Sequence, residues 1–236
     1  MTYLGGYPEW RSKAAAEIED LLASKCCSPV SSSANETPST GFLSNSLSTQ
    51  LASIPIEAWE NETPVLDALI RETTRVAQPH TAMRRNLGPE LYINNKIIPT
   101  GAYVIYPFSD VHLDPELYPD PWKFDPGRSE VTHVPFGSIG WGGGPSSFIN
   151  ILAIEMFLLS ENCGCLGKTI CLGTRLAKLE LKLVTAMFVL GFRHSSVDKM
   201  GKPSNPLPVP NWNDILLCRP PVGSFKLKYE RTSRPL

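Results

Sequence analysis

The most informative stretch of this sequence is Lys168-Thr169-Ile170-Cys171-Leu172-Gly173-Thr174-Arg175-Leu176-Ala177-Lys178-Leu179-Glu180. Apolar side chains recur from there at helical spacing, so the sequence predicts a helix over residues 172–190 that is largely buried. Glu180 falls between two apolar stripes, and we expect its carboxylate to be buried beside a partner. The stripes are Leu172, Leu176, Leu179, Leu183, Met187 and Leu190, and Ala177, Leu181, Val184 and Phe188.

Cys171 immediately precedes this predicted helix. The helix dipole and the free N–H groups of a helix N-terminus favour the thiolate form of a cysteine. A neighbouring glycine such as Gly173 lets the backbone approach a flat ligand closely. A thiolate is also the ligand that haem iron carries in enzymes that promote O–O cleavage. A lone cysteine is otherwise a small buried apolar residue, so the assignment depends on further motifs.

Three further motifs precede Cys171 in the chain. Glu72 and Arg75 lie one helical turn apart on a helix that is predicted from the N-cap Thr63 to about Val76. The second motif lies in a proline-rich, irregular stretch over residues 107–136 and reads Trp122-Lys123-Phe124-Asp125-Pro126-Gly127-Arg128. The third motif is the glycine run Trp141-Gly142-Gly143-Gly144. Taken singly, the motifs indicate only a surface ion pair and tight turns.

The remaining elements predict a fold with helices and short strands. An amphipathic helix is expected over residues 8–24, and a Ser-rich loop over residues 28–50. Short strands are expected at Leu91–Ile93, Ile97-Ile98, Ala102–Tyr106 and Ser224–Tyr229, with a turn at Asn94-Asn95.

Composition restricts the class of protein. Proline accounts for 22 of 236 residues, above the usual share of about 5%, which argues against a simple helix bundle. The net charge of -1 gives no indication of a nucleic-acid partner. The sequence shows no secretory signal and no run of about 20 apolar residues.

In combination and in this order, the motifs resemble the cytochrome P-450 family of haem-thiolate monooxygenases, of the eukaryotic type. The resemblance implies one partial domain over residues 1–236, the C-terminal, proximal half of the family's fold, which is mainly α with small β-sheets (α+β). It begins after the family's long central helix. That helix supplies the oxygen-activating residues, so we assign no catalytic residue and expect this chain alone to be inactive.

The resemblance also implies roles for individual residues. Cys171 corresponds to the thiolate ligand of haem b iron. Glu72, Arg75 and Arg128 correspond to a buried structural charge cluster. Contacts to haem are implied for four residues of the haem-binding loop, Trp141, Gly144, Lys168 and Gly173. A propionate contact is implied for either Arg84 or Arg85, in a strand region that often supplies one in this family. Thr169 departs from the family pattern, in which a basic residue holds a haem propionate, and Lys168 is the expected substitute.

The activity that the resemblance implies is O2-dependent insertion of one oxygen atom into a small organic substrate. Electrons are expected from an NADPH-dependent reductase. Full-length eukaryotic relatives are usually anchored in the endoplasmic reticulum membrane, although this chain shows no anchor.

The haem-binding loop is longer than the family pattern. Trp141 and Cys171 are 30 positions apart, and removal of residues 145–167 leaves the seven that are typical of the family. The removed segment is 23 codons, so the reading frame is kept. We therefore predict that residues 145–167 are an insertion, such as translated intron.

Other interpretations remain open. The chain is alternatively a truncated or mispredicted, catalytically inactive fragment that binds haem. Gly167-Lys168-Thr169 imitates the end of a phosphate-binding loop, as in a P-loop-like nucleotide-binding protein, but Asn162 replaces the glycine that the loop needs. Cys163, Cys165 and Cys171 lack the paired spacing of a zinc site.

Overall fold

A computed structural model describes residues 1–26, 46–78, 81–93, 95–129, 173–212 and 219–234, without the side chains of Cys26, Ala82 and Arg84. The helices are α1 (Thr2–Gly6), α2 (Pro8–Cys26), α3 (Leu47–Ala52), α4 (Ile56–Asn61), α5 (Pro64–Val76), α6 (Phe108–His112) and α7 (Thr174–Gly191). The strands are β1 (Thr81–Arg85), β2 (Leu91–Ile93), β3 (Lys96–Ile98), β4 (Tyr103–Pro107), β5 (Phe192–Val197) and β6 (Lys226–Arg231). This confirms the predicted fold class of helices with small β-sheets.

The chain divides into two compact units. The first contains Met1–Ala68, Leu176–Pro208 and Val222–Leu236. Here β5 and β6 form an antiparallel pair in which Phe192 opposes Arg231, and the apolar face of α2 is buried, as the sequence predicts. The core of this unit is built mainly from α2, α3 and α4, through Ala14, Ile18, Leu21, Leu22, Leu47, Leu51, Ala58 and Trp59.

The second unit contains Leu69–Arg175 and Val209–Pro221. Two antiparallel pairs, β1 with β4 and β2 with β3, follow the second half of α5. Asn86 connects them: its N–H donates to Ala102 O at 2.8 Å, and its buried side chain donates to Pro89 O at 2.9 Å and Ile98 O at 3.2 Å. Gly101 has a φ of 84°, which a glycine adopts without strain, and this allows the return into β4.

The prediction for α7 is right in its bounds to within two residues and, apart from Leu190, wrong in its buried face. Glu180 is exposed, and so are apolar residues of both predicted stripes, including Leu176 and Val184 at 61% and 59%. The buried face instead follows Lys182, Ala186, Val189 and Leu190. Lys182 belongs to neither predicted apolar stripe, and it is buried because the Asp67 carboxylate neutralises its ammonium group inside the fold.

None of the described helices is sufficiently long and apolar to cross a membrane.

Candidate functional site

Glu72 and Arg75 form a buried ion pair on α5. Arg75 Nε donates to Glu72 Oε2 at 2.9 Å, and Arg75 Nη2 donates to Glu72 Oε1 at 2.7 Å. Only 4% of Glu72 and 3% of Arg75 is exposed to solvent. Two parallel charge-assisted bonds fix both side chains, and the spacing of three residues on one helix makes this geometry possible.

The rest of the Arg75 guanidinium binds backbone carbonyls at the end of α6 and in the irregular chain that follows it. Its Nη1 donates to His112 O and to Pro121 O, each at 2.7 Å, and its Nη2 donates to Lys123 O at 3.2 Å. The guanidinium carbon also lies 4.8 Å from the centre of the Tyr118 ring. One arginine thus pairs three backbone carbonyls, one at the C-terminal end of α6 and two in the irregular chain that follows.

Arg128 is the second arginine beside Glu72. Its Nε lies 3.4 Å from Glu72 Oε1, and its guanidinium donates to Pro119 O, to Asp120 O at 2.7 Å and to Lys123 O at 3.1 Å. Arg128 is half-buried, and its guanidinium approaches Glu72 from a part of the chain far from α5 in sequence. The structure therefore brings Glu72, Arg75 and Arg128 together in one cluster.

Glu72 also accepts a hydrogen bond from the backbone. Asp125 N–H donates to Glu72 Oε1 at 2.9 Å. That oxygen thus has the Arg75 and Asp125 donors and the Arg128 charge around it, which offsets the free-energy cost of burying a carboxylate. The cluster holds the irregular 113–128 segment against the second half of α5.

His112 lies at the edge of this cluster and was not singled out by the sequence. It is 1% exposed, and its backbone carbonyl accepts from Arg75. Burial, and then the charge of Arg75, lower the pKa of the His112 imidazole to about 4. The side chain is therefore neutral at pH 7.

The β1–β4 ribbon carries the arginine pair that the sequence singled out. Arg85 opposes Tyr103, and Met83 opposes Ile105, on one face of the ribbon. Arg85 Nε donates to Gly101 O at 3.2 Å, and its guanidinium carbon lies 5.6 Å from the centre of the Tyr103 ring. Met83, Tyr103 and Ile105 are all more than half exposed. Arg84 pairs with Val104 through the backbone, and its side chain lies outside the described part of the chain.

A second group of charges surrounds the start of α5. Glu17, from α2, accepts from Val65 N–H at 2.6 Å and from Leu66 N–H at 3.0 Å. Thr63 immediately precedes α5 and its carbonyl accepts from Asp67 N–H at 3.1 Å, as predicted for the N-cap residue. Its hydroxyl donates to Trp59 O at 2.7 Å, and Glu17 accepts from the N–H groups of the first turn. Burial raises the pKa of the Glu17 carboxyl, against the opposing effect of the two N–H donors.

Sequence reasoning missed this second group because its members are far apart in the chain. Lys182 of α7 lies beside Asp67 of α5, with 2.9 Å from its Nζ to Asp67 Oδ1. The only local signal was that Lys182, Ala186 and Val189 share a helical stripe. Glu17 lies 48 residues before the N–H group that it binds, and nothing in its neighbourhood marks it as a cap.

Most of the residues predicted for the haem-binding loop fall in the part of the chain that the structure does not describe. Trp141, Gly144, Lys168 and Cys171 lie outside the described residues, as does the whole of residues 145–167. Gly173 is described, and it is exposed in the turn that immediately precedes α7.

Comparison with known proteins identifies the family. A family model described as Cytochrome P-450 matches residues 52–147, a range that includes the Glu72 cluster. The cytochrome P-450 monooxygenase dmxR5 of Cryptosporiopsis sp. is 31% identical over 204 residues, covering 84% of this chain and 32% of that protein. The chain belongs to the cytochrome P-450 family.

Other members of the cytochrome P-450 family show a similar extent of match. The cytochrome P-450 monooxygenase AacuE of Aspergillus aculeatus is 27% identical over 212 residues, covering 86% of this chain and 35% of that protein. The structure of retinoic acid-bound cyanobacterial CYP120A1 has a similar fold, with a TM-score of 0.58 and 22% identity, and covers 98% of this chain and 40% of that one. The chain spans about a third of the length of these curated relatives.

Membership of the cytochrome P-450 family implies haem with a cysteine thiolate as its ligand. The β1–β4 ribbon fits part of such a group. A porphyrin has an apolar ring system and two propionates, and the exposed face of this ribbon presents three large apolar side chains next to the Arg85 guanidinium. The family relationship does not favour the nucleotide-binding alternative.

Proposed function

We propose that this chain is the haem-binding part of a cytochrome P-450 monooxygenase and that Cys171 supplies the thiolate. The observation that carries the proposal is the Glu72–Arg75–Arg128 cluster, which lies within the range matched by the family model. When bound, a thiolate-ligated haem supplies the chemistry by which one atom of O2 is inserted into a small organic substrate.

The residues of this chain would bind and position the cofactor. Cys171 would be held as a thiolate by its place before α7 and next to Gly173, and Gly144 would contact the haem. Trp141 would contact the haem from within the haem-binding loop. Lys168 and Arg85 would bind the haem propionates as cations. The Glu72 cluster would keep the 113–128 segment fixed against the second half of α5.

We propose two binding partners for the whole enzyme. The family relationship supports a substrate and a redox partner in general. Within that range, a small organic substrate and an NADPH-dependent reductase are the partners that we propose, and no nucleic acid is expected because the net charge is only -1.

Residues 145–167 are proposed to be an insertion in the haem-binding loop. The support is the spacing, because removal of these 23 residues brings Trp141 and Cys171 to seven positions apart. Lengthening a loop has a small entropic cost but leaves its ends poorly positioned. We expect the chain without residues 145–167 to bind haem at least tenfold more tightly than the complete chain. Equal haem affinity of the two forms would contradict the insertion proposal.

The thiolate assignment is tested by replacing single cysteines. The chain is loaded with haem, reduced and treated with carbon monoxide, and the absorption spectrum is compared for wild type, Cys171→Ser and Cys165→Ser. We expect the thiolate-type spectrum in the wild type and in Cys165→Ser, and its loss in Cys171→Ser. A thiolate-type spectrum that persists in Cys171→Ser would contradict the proposal.

A further inference from the structure

Lys182 is a buried cation with its donors paired inside the fold. Its side chain is 4% exposed, and its Nζ donates to Trp59 O at 2.7 Å and to Asp67 Oδ2 at 3.0 Å. It therefore joins three helices: α7, the C-terminal half of α4 and the first turn of α5. Hydrogen bonds and ion pairs have a preferred distance and direction. These contacts therefore form at only one rotation and one register of α7.

Stability alone gives no reason for an ammonium group at this position. A buried ion pair contributes little more than a well-packed apolar pair of the same volume, and often less. The buried face of α7 otherwise consists of Ala186, Val189, Leu190 and Gly191. An apolar side chain at 182 would continue that face, but it would also allow α7 to rotate or slide.

Rotation is a real alternative for α7 because apolar side chains surround the helix. Leu176, Leu181 and Val184 are exposed in the described structure, at 61%, 43% and 59%. A helix with apolar residues on more than one face has no unique buried stripe. A single buried polar group specifies register in such cases, as it does in coiled coils.

The register of α7 matters because of its place in the chain. Thr174, the first residue of α7, follows Cys171 by three positions. A helix of this kind advances by 1.5 Å and turns by about 100° per residue, so a slip by one residue would redirect the chain that enters it.

We propose that Lys182 is a positioning residue, which fixes the rotation and register of α7 through Asp67 and Trp59 and so directs the Cys171 sulfur towards haem iron. This inference rests on the proposed function, in which Cys171 is the iron ligand. Lys182 itself touches no cofactor in this proposal and acts only through α7.

The decisive variant removes both charges together. Lys182→Met/Asp67→Leu leaves no unpaired buried charge, so we expect its urea midpoint to stay close to that of the wild type. The haem-loaded, reduced carbonyl complex of the same full chain then reports thiolate ligation. We expect the thiolate-type fraction to fall at least threefold in the double variant.

A matched control uses an exposed ion pair of the same unit. Lys25 Nζ lies 2.7 Å from Glu62 Oε1, with 30% and 47% of the two side chains exposed. The variant Lys25→Met/Glu62→Leu should keep both the urea midpoint and the thiolate-type fraction of the wild type.

Two roles for Lys182 predict different results in the Lys182→Met/Asp67→Leu variant. A structural role would lower both the stability and the thiolate-type fraction, whereas a positioning role would lower the thiolate-type fraction alone.

The outcomes separate the two proposals. A double variant at 182 and 67 with the wild-type thiolate fraction would overturn the positioning role and leave Cys171 as the ligand. A double variant whose urea midpoint and thiolate fraction fall in parallel would also overturn it, in favour of a structural role. A wild-type chain with no thiolate-type spectrum would overturn the proposed function and the inference with it.

Discussion

Two clusters of charge lie along α5, and they are built with opposite signs. Near the end of the helix, Glu72 is a buried anion that is surrounded by donors from Arg75, Arg128 and Asp125. At the start of the helix, Lys182 is a buried cation that is paired with Asp67, while Glu17 binds the first N–H groups. In each cluster the central group is almost fully buried, but the partners differ in exposure.

That difference in exposure determines what each cluster contributes. Arg75 is 3% exposed, so it has no access to water if Glu72 is removed. The side chain of Asp67 is 37% exposed, so water can replace Lys182 as its hydrogen-bond partner. We therefore expect the Glu72 cluster to contribute mainly to stability, and the Lys182 cluster mainly to the register of helices.

The largest effect is expected from Glu72→Ala. This change leaves the buried Arg75 guanidinium without a counter-charge, and should lower the free energy of unfolding by about 3–5 kcal/mol. Urea unfolding of the variant measures the loss, with Glu62→Ala at an exposed position as control. A Glu72→Ala protein as stable as the control would remove the distinction between the two clusters.

The pH dependence of stability sharpens the same comparison. The pKa of His112 is lowered to about 4 in the folded protein from 6.5, so the unfolded chain binds a proton first as pH falls. Stability from this group is complete above pH 6.5 and decreases towards pH 4, by at most about 1.4 kcal/mol per pH unit.

The measurement for His112 is a series of urea midpoints between pH 7.5 and pH 5. His112→Asn keeps the backbone carbonyl that accepts from Arg75, and it should flatten the pH dependence. His194, whose pKa is also lowered by burial, contributes in the same direction and accounts for part of the remaining slope. An unchanged slope in His112→Asn would show that the cluster does not hold this histidine neutral.

A smaller effect is expected at the start of α5. Glu17→Ala removes the acceptor of two N–H groups in the first helical turn, which should cost about 0.5–2 kcal/mol, as the loss of a helix cap does. Asp20→Ala, an exposed change on the same helix, serves as control and should lie within about 0.5 kcal/mol of the wild type. A Glu17→Ala variant as stable as Asp20→Ala would mean that water caps the helix equally well.

The smallest effect is expected for the exposed pair Lys25–Glu62. Lys25→Met should change the free energy of unfolding by less than about 1 kcal/mol, because both side chains are partly solvated. The difference should diminish further in 0.5 M salt, since screening weakens exposed ion pairs. If Lys25→Met lowered the free energy of unfolding as much as Glu72→Ala does, solvent exposure would not determine how much each ion pair contributes to stability.

Local pattern was sufficient for elements whose signals lie close together in the chain. Thr63-Pro64 and the apolar spacing predict α5, which the structure has at Pro64–Val76, and the apolar runs predict β2 and β3 to within one residue. The sequence pattern predicted neither β1 nor β5, although the resemblance to the cytochrome P-450 family implies a strand region at Arg84 and Arg85. β5 reads Phe192-Arg193-His194-Ser195-Ser196-Val197, which lacks a clear apolar alternation, and its partner β6 lies about thirty residues away.

The site residues could be predicted only where they lie close together in the sequence or match a motif of a known family. Glu72 and Arg75 are three residues apart, and the resemblance to cytochrome P-450 adds Arg128 to them. The burial of Lys182 was not predicted, because a hydrophobicity pattern treats every lysine as exposed. Its burial depends on Asp67, 115 residues earlier in the chain, and such pairings are decided by tertiary packing.

The central claim is that Glu72 is the shared acceptor that holds the 113–128 segment to α5. Asp125 N–H donates to Glu72 Oε1 at 2.9 Å although it belongs to no regular element, so its rate of amide hydrogen exchange tests the claim directly. We predict slow exchange at Asp125 in the wild type and fast exchange in Glu72→Ala, with a smaller change at Asn86, whose N–H donates to Ala102 O. Exchange at Asp125 in the wild type as fast as in an unfolded chain would contradict the account.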